Sequence, residues 1–269
     1  MTIALAIAVP EGLVLAADSR STYANPKQWP RVASDNACKI VRIADCVGAS
    51  TFGWAMLSGR TIRSHMADLA MKVNPVDGVE KVLDHVIKYF EREYRRHVEA
   101  HPMDEPSEGL TPLGFLVAGY SADGVGKVYR ALIPGGGAPA AEIDTLRPGL
   151  IPEGQTDIIW RLIRGYDPRL RLEELPAEAQ LVLKASEYQI YFSLMLLQDA
   201  IDFAILLARI TIETQRFIDG ILADPGDISG VGGSVDVAIL TSTYGFRWIQ
   251  RKCLHGEVGP KAATLTYEP

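Results

Sequence analysis

The sequence predicts an α+β fold in which helices cover the outer faces of two packed antiparallel sheets, a four-layer αββα sandwich. Segments with strand and helix patterns come in groups along the chain: strands, two helices, strands, two helices, strands. The 269 residues are 48% hydrophobic, which suits one large core, and contain no linker-like stretch. We therefore expect one domain over residues 1–269, with a peripheral insertion at about 166–190 and a tail at about 253–269.

The first two predicted strands form a hairpin. Apolar residues alternate over residues 3–9, a turn follows at residues 10–12, and residues 13–17 are all apolar. A continuous apolar run after a tight turn is typical of a strand that is buried on both faces. Asp18 ends this strand, and because an isolated buried charge is costly, its carboxylate requires a cationic partner.

A second hairpin can supply that cation. Residues 39–43 and 46–53 have strand character on either side of a turn at residues 44–45. If the two hairpins pair, Lys39, at the start of its strand, comes close to Asp18. Gly53 ends the last of these four strands.

The remaining elements follow from periodicity and from turn residues. Apolar residues at three- and four-residue steps predict helices, and Asn74-Pro75 separates the first helix from the second. Short apolar runs around glycine-containing turns predict strands. In chain order these are helices over about 54–73 and 75–99, strands over 115–120 and 127–133, helices over about 154–165 and 197–219, and strands over 235–241 and 246–252.

Thr2 is the candidate nucleophile. Removal of Met1 would leave an N-terminal threonine, whose hydroxyl can attack while its α-amine, with a reference pKa of about 7.7–8.0, accepts the proton. A nearby Lys39 ammonium would keep that amine neutral, and Asp18 would fix the lysine. The backbone N–H of Gly53 could donate to an oxyanion. The structural interpretation of the same residues is a strand start, a buried salt bridge and a turn glycine.

These residues and their spacings resemble those of proteasome β-type subunits, in the N-terminal-nucleophile hydrolase superfamily. Thr2 and Asp18 are sixteen residues apart, and Lys39 and Gly53 are fourteen apart, as in that family. Between Arg20 and Lys39 the chain is longer, which indicates a looped insertion. Further similar stretches are PEGLVLAADSR at 10–20, LVAGYSADGVGKVYRALIPGG at 116–136 and VDVAILT at 235–241.

The resemblance implies catalytic roles for Thr2, Asp18, Lys39 and Gly53, and a supporting role for Arg20. It also implies the four-layer sandwich and a specificity pocket lined by the residues that flank the glycine. Thr51 and Ala55 would make that pocket small and uncharged.

Two auxiliary positions of the family correspond less closely. The family has a serine near the start of the third helix, where this chain has Gln155 after Gly154. It also has an aspartate and a serine after the fourth helix. Asp227 and Ser229 are the candidates for that pair, in competition with Asp219.

Composition limits the partners. The net charge of −6 and the scattered basic residues argue against a nucleic-acid surface. The most apolar long stretch contains too many polar residues for a membrane span, and no signal peptide is visible. Three cysteines without metal-ligand spacing favour a reducing cytoplasm. We expect no cofactor and no metal.

The resemblance implies a threonine-type endopeptidase that hydrolyses peptides or unfolded proteins inside a homo-oligomeric ring. It also raises an ATPase unfoldase as a partner. Among the actinobacterial and archaeal β subunits, HslV-like peptidases and Anbu-type homologues, the extra length and the VGGSVDVAIL sequence favour a divergent bacterial branch. Two alternatives stay open: a non-catalytic ring or scaffold subunit, and an N-terminal-nucleophile amidase that acts on a small-molecule amide.

Overall fold

The computed structural model describes residues 2–24, 30–102, 112–135, 139–167, 169–218 and 228–253. The described strands are β1 (Ile3–Val9), β2 (Gly12–Ala17), β3 (Ser21–Ala24), β4 (Pro30–Ser34), β5 (Ile40–Ala44), β6 (Val47–Gly53), β7 (Met56–Leu57), β8 (Arg60–Thr61), β9 (Leu113–Tyr120), β10 (Gly126–Ile133), β11 (Ile143–Asp144), β12 (Gly149–Gly154), β13 (Asp236–Thr241) and β14 (Gly245–Gln250). The α-helices are α1 (Ile62–Ala70), α2 (Val79–Ala100), α3 (Asp157–Arg164), α4 (Ala177–Ala185) and α5 (Leu197–Phe217).

The first sheet has the antiparallel order β12-β1-β2-β13-β14. Successive side chains of β1 point to opposite faces of this sheet. The bulky residues of β1 belong to a core shared with α3 and α5, whereas its alanines belong to a core shared with the second sheet. This division explains why every residue of β1 is buried.

The second sheet has the antiparallel order β11-β10-β9-β6-β5. A core of buried side chains joins it to α1 and α2, and the rings of Phe90 and Phe115 meet there at 4.4 Å between centroids. Leu15 of the first sheet and Leu116 of the second share the remaining core. The prediction of a mixed chain of helices and antiparallel sheets is confirmed.

The two hairpins that carry Asp18 and Lys39 do not pair, so the condition under which the sequence brought the two residues together is not met. The β1–β2 hairpin lies in the first sheet and the β5–β6 hairpin in the second, and their side chains meet in the core shared by the two sheets. Both β1 and β2 already have a strand partner on each edge, so no edge is open to β5. Face-to-face packing brings Asp18 and Lys39 together instead.

The helix predicted over residues 54–73 is shorter than expected. Residues 56–61 form the β7–β8 hairpin, with positive φ of 50° at Ser58 and 74° at Gly59 in its turn. Helix α1 begins only at Ile62, where the Thr61 hydroxyl accepts the N–H of Ser64 at 3.2 Å. A turn with two positive φ angles and a threonine N-cap both place the helix start after the hairpin.

Two further regions contain strands that the sequence pattern did not predict. The looped insertion after Arg20 includes the β3–β4 hairpin, and β11 and β12 precede α3. In the described structure β12 pairs only with β1, so it lies at the edge of its sheet. Pro152 has no backbone N–H to donate to a neighbouring strand. An edge strand tolerates this because it has a neighbour on one side only.

The expected peripheral insertion contains α4, none of whose residues is buried. Two hydrogen bonds join its end to α3: the Tyr188 N–H donates to the Ile163 carbonyl at 2.8 Å, and the Ser186 hydroxyl donates to the Arg164 carbonyl at 3.1 Å. The expected tail lies almost entirely outside the described residues. None of the described helices is both long and apolar enough to cross a lipid bilayer.

Candidate active site

Asp18 lies fully buried directly after β2, and its carboxylate accepts four hydrogen bonds. Oδ1 accepts the N–H of Ile3 at 3.1 Å and Nζ of Lys39 at 2.5 Å. Oδ2 accepts the N–H of Arg20 and the N–H of Gly232, each at 3.0 Å. Four donors from four parts of the chain satisfy the charge that burial would otherwise penalise.

Lys39 is 7% exposed and immediately precedes β5 of the second sheet. Its side chain extends toward the first sheet, where it reaches Asp18. Burial lowers the pKa of its ammonium, and the charges of Lys252 and Arg20 act in the same direction. The charge of Asp18 and its hydrogen bond oppose this shift without reversing it. Lys39 therefore loses its proton more readily than an exposed lysine does.

Thr2 is 4% exposed and lies next to Ile3, whose N–H binds Asp18. Its carbonyl oxygen accepts the N–H of Gln155 at 2.7 Å. Gly154 lies against the same carbonyl with φ of 85°, and a Cβ there would stand 1.9 Å from the oxygen. Gly154 at the end of β12 and Gln155, which follows it, thus hold the backbone of Thr2.

Ser229 belongs to a polar chain that leads back to Thr2. Its hydroxyl lies 2.8 Å from the Val231 carbonyl and 3.3 Å from Oε1 of Gln215. Nε2 of Gln215 in turn donates to Oε1 of Gln155 at 3.1 Å. Gln155 therefore connects Ser229 with the Thr2 backbone, a link that the sequence did not reveal. Asp227 and Asp219 lie outside the described residues.

Arg20 supports the same region. Its guanidinium forms a bidentate pair with Asp35, at 2.7 and 2.9 Å, and donates to the Ser229 carbonyl at 3.1 Å. The hydrogen bond with Asp35 is the largest effect that raises the pKa of Arg20. A Cβ on Gly232 would lie 2.5 Å from the guanidinium carbon, so this glycine leaves room for the arginine.

The residues predicted to face the substrate lie at the end of β6. Thr51 donates its N–H to the Lys39 carbonyl at 2.9 Å, and its buried hydroxyl has no hydrogen-bond partner among the described residues. Gly53 is exposed with φ of 85°, and a Cβ there would meet the Pro112 carbonyl at 2.1 Å. Backbone packing alone therefore requires this glycine. Ala55 is exposed in the turn before β7.

A second buried ion pair was not predicted. Lys252 pairs with Asp236, which is fully buried at the start of β13, and its Nζ also lies 2.7 Å from Oγ of Ser19. The rule that identified Asp18 applies equally to Asp236, a carboxylate beside the buried strand residues Val237 and Ala238. No group of three metal-ligating side chains occurs in the described parts of the chain.

Comparison with solved structures shows that the fold is similar to that of Anbu from Hyphomicrobium sp. strain MC1, determined as a (Gly-1) mutant. The alignment covers 100% of this chain and 88% of that chain, with 13% identity and a TM-score of 0.55. The resemblance to Anbu-type proteins that the sequence predicts is confirmed as a similarity of fold. No family model and no curated protein matches the chain.

Proposed function

We propose that this chain is a proteasome-like N-terminal-nucleophile hydrolase that cleaves peptide bonds with Thr2, exposed by removal of Met1. The observation that carries the proposal is the four-donor Asp18 carboxylate, which binds both Lys39 and the N–H of Ile3, the residue next to Thr2. The fold similarity to Anbu supports it, as does the agreement of the Thr2–Asp18 and Lys39–Gly53 spacings with proteasome β-type subunits.

The chemistry that we propose is acyl transfer. As Oγ of Thr2 bonds to the substrate carbonyl carbon, its proton passes to the α-amine of the same residue. The resulting ammonium returns the proton to the leaving amine when the C–N bond breaks, which leaves an ester on Thr2. Water then hydrolyses the ester, with the α-amine again as base. The Lys39 ammonium favours the neutral amine and the developing alkoxide.

Gly53 is proposed as the oxyanion donor through its backbone N–H, and Thr51 and Ala55 as walls of a neutral specificity pocket. The exposed position of Gly53 at the end of β6 is consistent with access to a substrate. Asp227 and Ser229 remain proposed auxiliary residues, and the polar chain from Ser229 to Gln155 supports the second of them.

We also propose an αββα sandwich that assembles into a homo-oligomeric ring. The three cores support the layer order, since one joins the two sheets and each of the others joins one sheet to helices. Large apolar side chains lie exposed in and after the peripheral segment and would be covered by a second copy. They are Leu181, Val182, Tyr188, Tyr191 and Leu194, between 63% and 78% exposed.

The test begins with the intact mass of protein purified from its native host, which must lack Met1. Thr2→Ala should then abolish hydrolysis of unfolded-protein and peptide substrates, together with covalent labelling by threonine-directed inhibitors. Thr243→Ala is the matched control, because Thr243 is exposed in the β13–β14 turn and should leave both unchanged. A retained Met1, or full activity in Thr2→Ala, would refute the proposal.

A further inference from the structure

Lys252 and Asp236 form an ion pair in the interior near the candidate active site. Asp236 is fully buried and the Lys252 side chain is 15% exposed. The Lys252 backbone N–H also donates to Oδ1 of Asp236 at 3.1 Å, so two hydrogen bonds hold the pair. Breaking a buried pair of this kind is costly, but forming one seldom adds stability over apolar residues. Stability alone therefore accounts poorly for its presence.

The pair is connected to Asp18 through Ser19. Nζ of Lys252 donates to Oγ of Ser19 at 2.7 Å, and that hydroxyl donates to the Ser234 carbonyl at 2.6 Å. The Ser19 backbone N–H donates to the Gly232 carbonyl at 2.9 Å, and the Gly232 N–H returns to Oδ2 of Asp18 at 3.0 Å. Ser19 is fully buried and adjoins Asp18 in the chain.

We propose that Lys252, held by Asp236, is a positioning residue for the Asp18–Lys39 pair, acting through Ser19 and through its own positive charge. The inference rests on the proposed function, because it assigns a role to groups around the same site. Lys252 fixes the segment that carries Asp18, and its ammonium disfavours a second ammonium at Lys39.

Two further charges act on the Lys39 ammonium beside that of Lys252. They are Asp18, which binds it, and Arg20, whose charge is balanced by Asp35 at 2.7 Å. Burial is the largest cause of the lowered Lys39 pKa, and Lys252 and Arg20 add to it. Removing the charge of Lys252 should therefore raise the Lys39 pKa.

The variant that tests the proposal is Lys252→Met combined with Asp236→Asn. It removes both charges together, so no unpaired charge stays buried, and the asparagine can still accept the residue 252 N–H. Lys252→Arg keeps the charge. Lys127→Met is the control, because Lys127 forms a more exposed ion pair with Glu80, at 2.9 Å, on the outer side of the second sheet.

The primary measurement is the titration of Lys39 by ¹³C NMR of ε-¹³C-lysine-labelled protein, with the Lys39 signal assigned through Lys39→Met. In the double variant the midpoint should rise, because the charge of Lys252 acts on Lys39 more strongly than the charge of Asp236 does. Lys252→Arg and Lys127→Met should leave the midpoint unmoved. An unmoved midpoint in the folded double variant would overturn the proposal, and this reading requires no hydrolysis.

A second measurement is the pH profile of kcat/KM for peptide hydrolysis. In the double variant the basic limb should move to higher pH together with the Lys39 midpoint, because catalysis requires the charged lysine. Lys252→Arg should keep the wild-type profile. A loss of thermal stability with an unchanged basic limb would assign the pair a merely structural role. A shifted NMR midpoint in a protein without hydrolysis would refute the proposed function but not the coupling of Lys252 to Lys39.

Discussion

Nζ of Lys39 lies 2.5 Å from Oδ1 of Asp18, although the two residues are attached to different sheets. Asp18 follows β2 of the first sheet, and Lys39 precedes β5 of the second. Their ion pair is therefore a polar cross-link at one end of the apolar core between the sheets. Its loss should affect both stability and the candidate active site.

Asp18→Asn should lower the free energy of unfolding by about 3–5 kcal/mol, because it leaves the buried Lys39 ammonium without its counter-charge. Urea unfolding followed by circular dichroism measures the change. Asp84→Asn is the control, since its ion pair with Lys88 is exposed and should contribute no more than about 1 kcal/mol. Equal effects of the two substitutions would show that the Asp18 carboxylate is not buried as described.

The lowered pKa of Lys39 predicts a pH dependence of stability. Between its folded pKa and the ordinary value near 10.5, the unfolded chain binds more protons at this lysine, so the stability contributed there rises with pH. Below the folded pKa the full penalty of a buried charge applies. Relative to Lys39→Met combined with Asp18→Asn, the wild-type protein should gain stability as the pH approaches 10.5 from below. A falling or flat difference between their unfolding free energies would contradict the direction of the shift.

Replacing the buried Asp157 by asparagine should stabilise the protein. It is 2% exposed in the first turn of α3, and neither carboxylate oxygen has a hydrogen-bond partner in the described structure. Asp157→Asn should raise the unfolding free energy by about 1 kcal/mol, since the unpaired buried charge outweighs the helix-dipole benefit. Glu178→Gln, at an exposed first-turn position of α4, should lose a few tenths of a kcal/mol instead. Destabilisation by Asp157→Asn would indicate a bound partner for this carboxylate.

Gly154→Ala should displace Thr2. Gly154 and Gly124 have similar φ, 85° and 80°, but a Cβ on Gly154 would lie 1.9 Å from the Thr2 carbonyl, whereas a Cβ on Gly124 would meet nothing within 4 Å. Gly124→Ala should therefore cost about 1–2 kcal/mol of backbone strain alone. Gly154→Ala should cost at least about 1–3 kcal/mol more, together with most of the hydrolytic activity. Thermal unfolding and peptide turnover of the two variants, measured side by side, provide the comparison.

The sequence predicted the Asp18–Lys39 contact because a carboxylate after a fully apolar strand requires a cation, and Lys39 was the nearby candidate. It did not predict how they meet, since strand patterns do not say whether two hairpins pair edge to edge or pack face to face. The same reasoning would have found Asp236. Its partner Lys252, however, follows a strand whose side chains are partly exposed, and nothing local marks it as buried.

The unpredicted strands have local causes. In β12 the proline and the short apolar run at residues 150–152 give no clear period-two pattern, and only the pairing with β1 makes this segment a strand. The turn at Ser58 and Gly59 carries a positive-φ signal that apolar periodicity over residues 54–73 obscured. Long-range pairing and turn conformation are thus what periodicity could not supply.

Hydrogen bonds at the two ends of α3 connect the exposed apolar segment with the start of the chain. Just before its first turn, the Gln155 N–H donates to the Thr2 carbonyl. In its last turn, backbone carbonyls accept hydrogen bonds from Ser186 and Tyr188 of the exposed apolar segment. Eight residues, roughly 12 Å of helix, separate the two ends. The exposed apolar segment and the first residues of the chain are therefore joined through a single short helix.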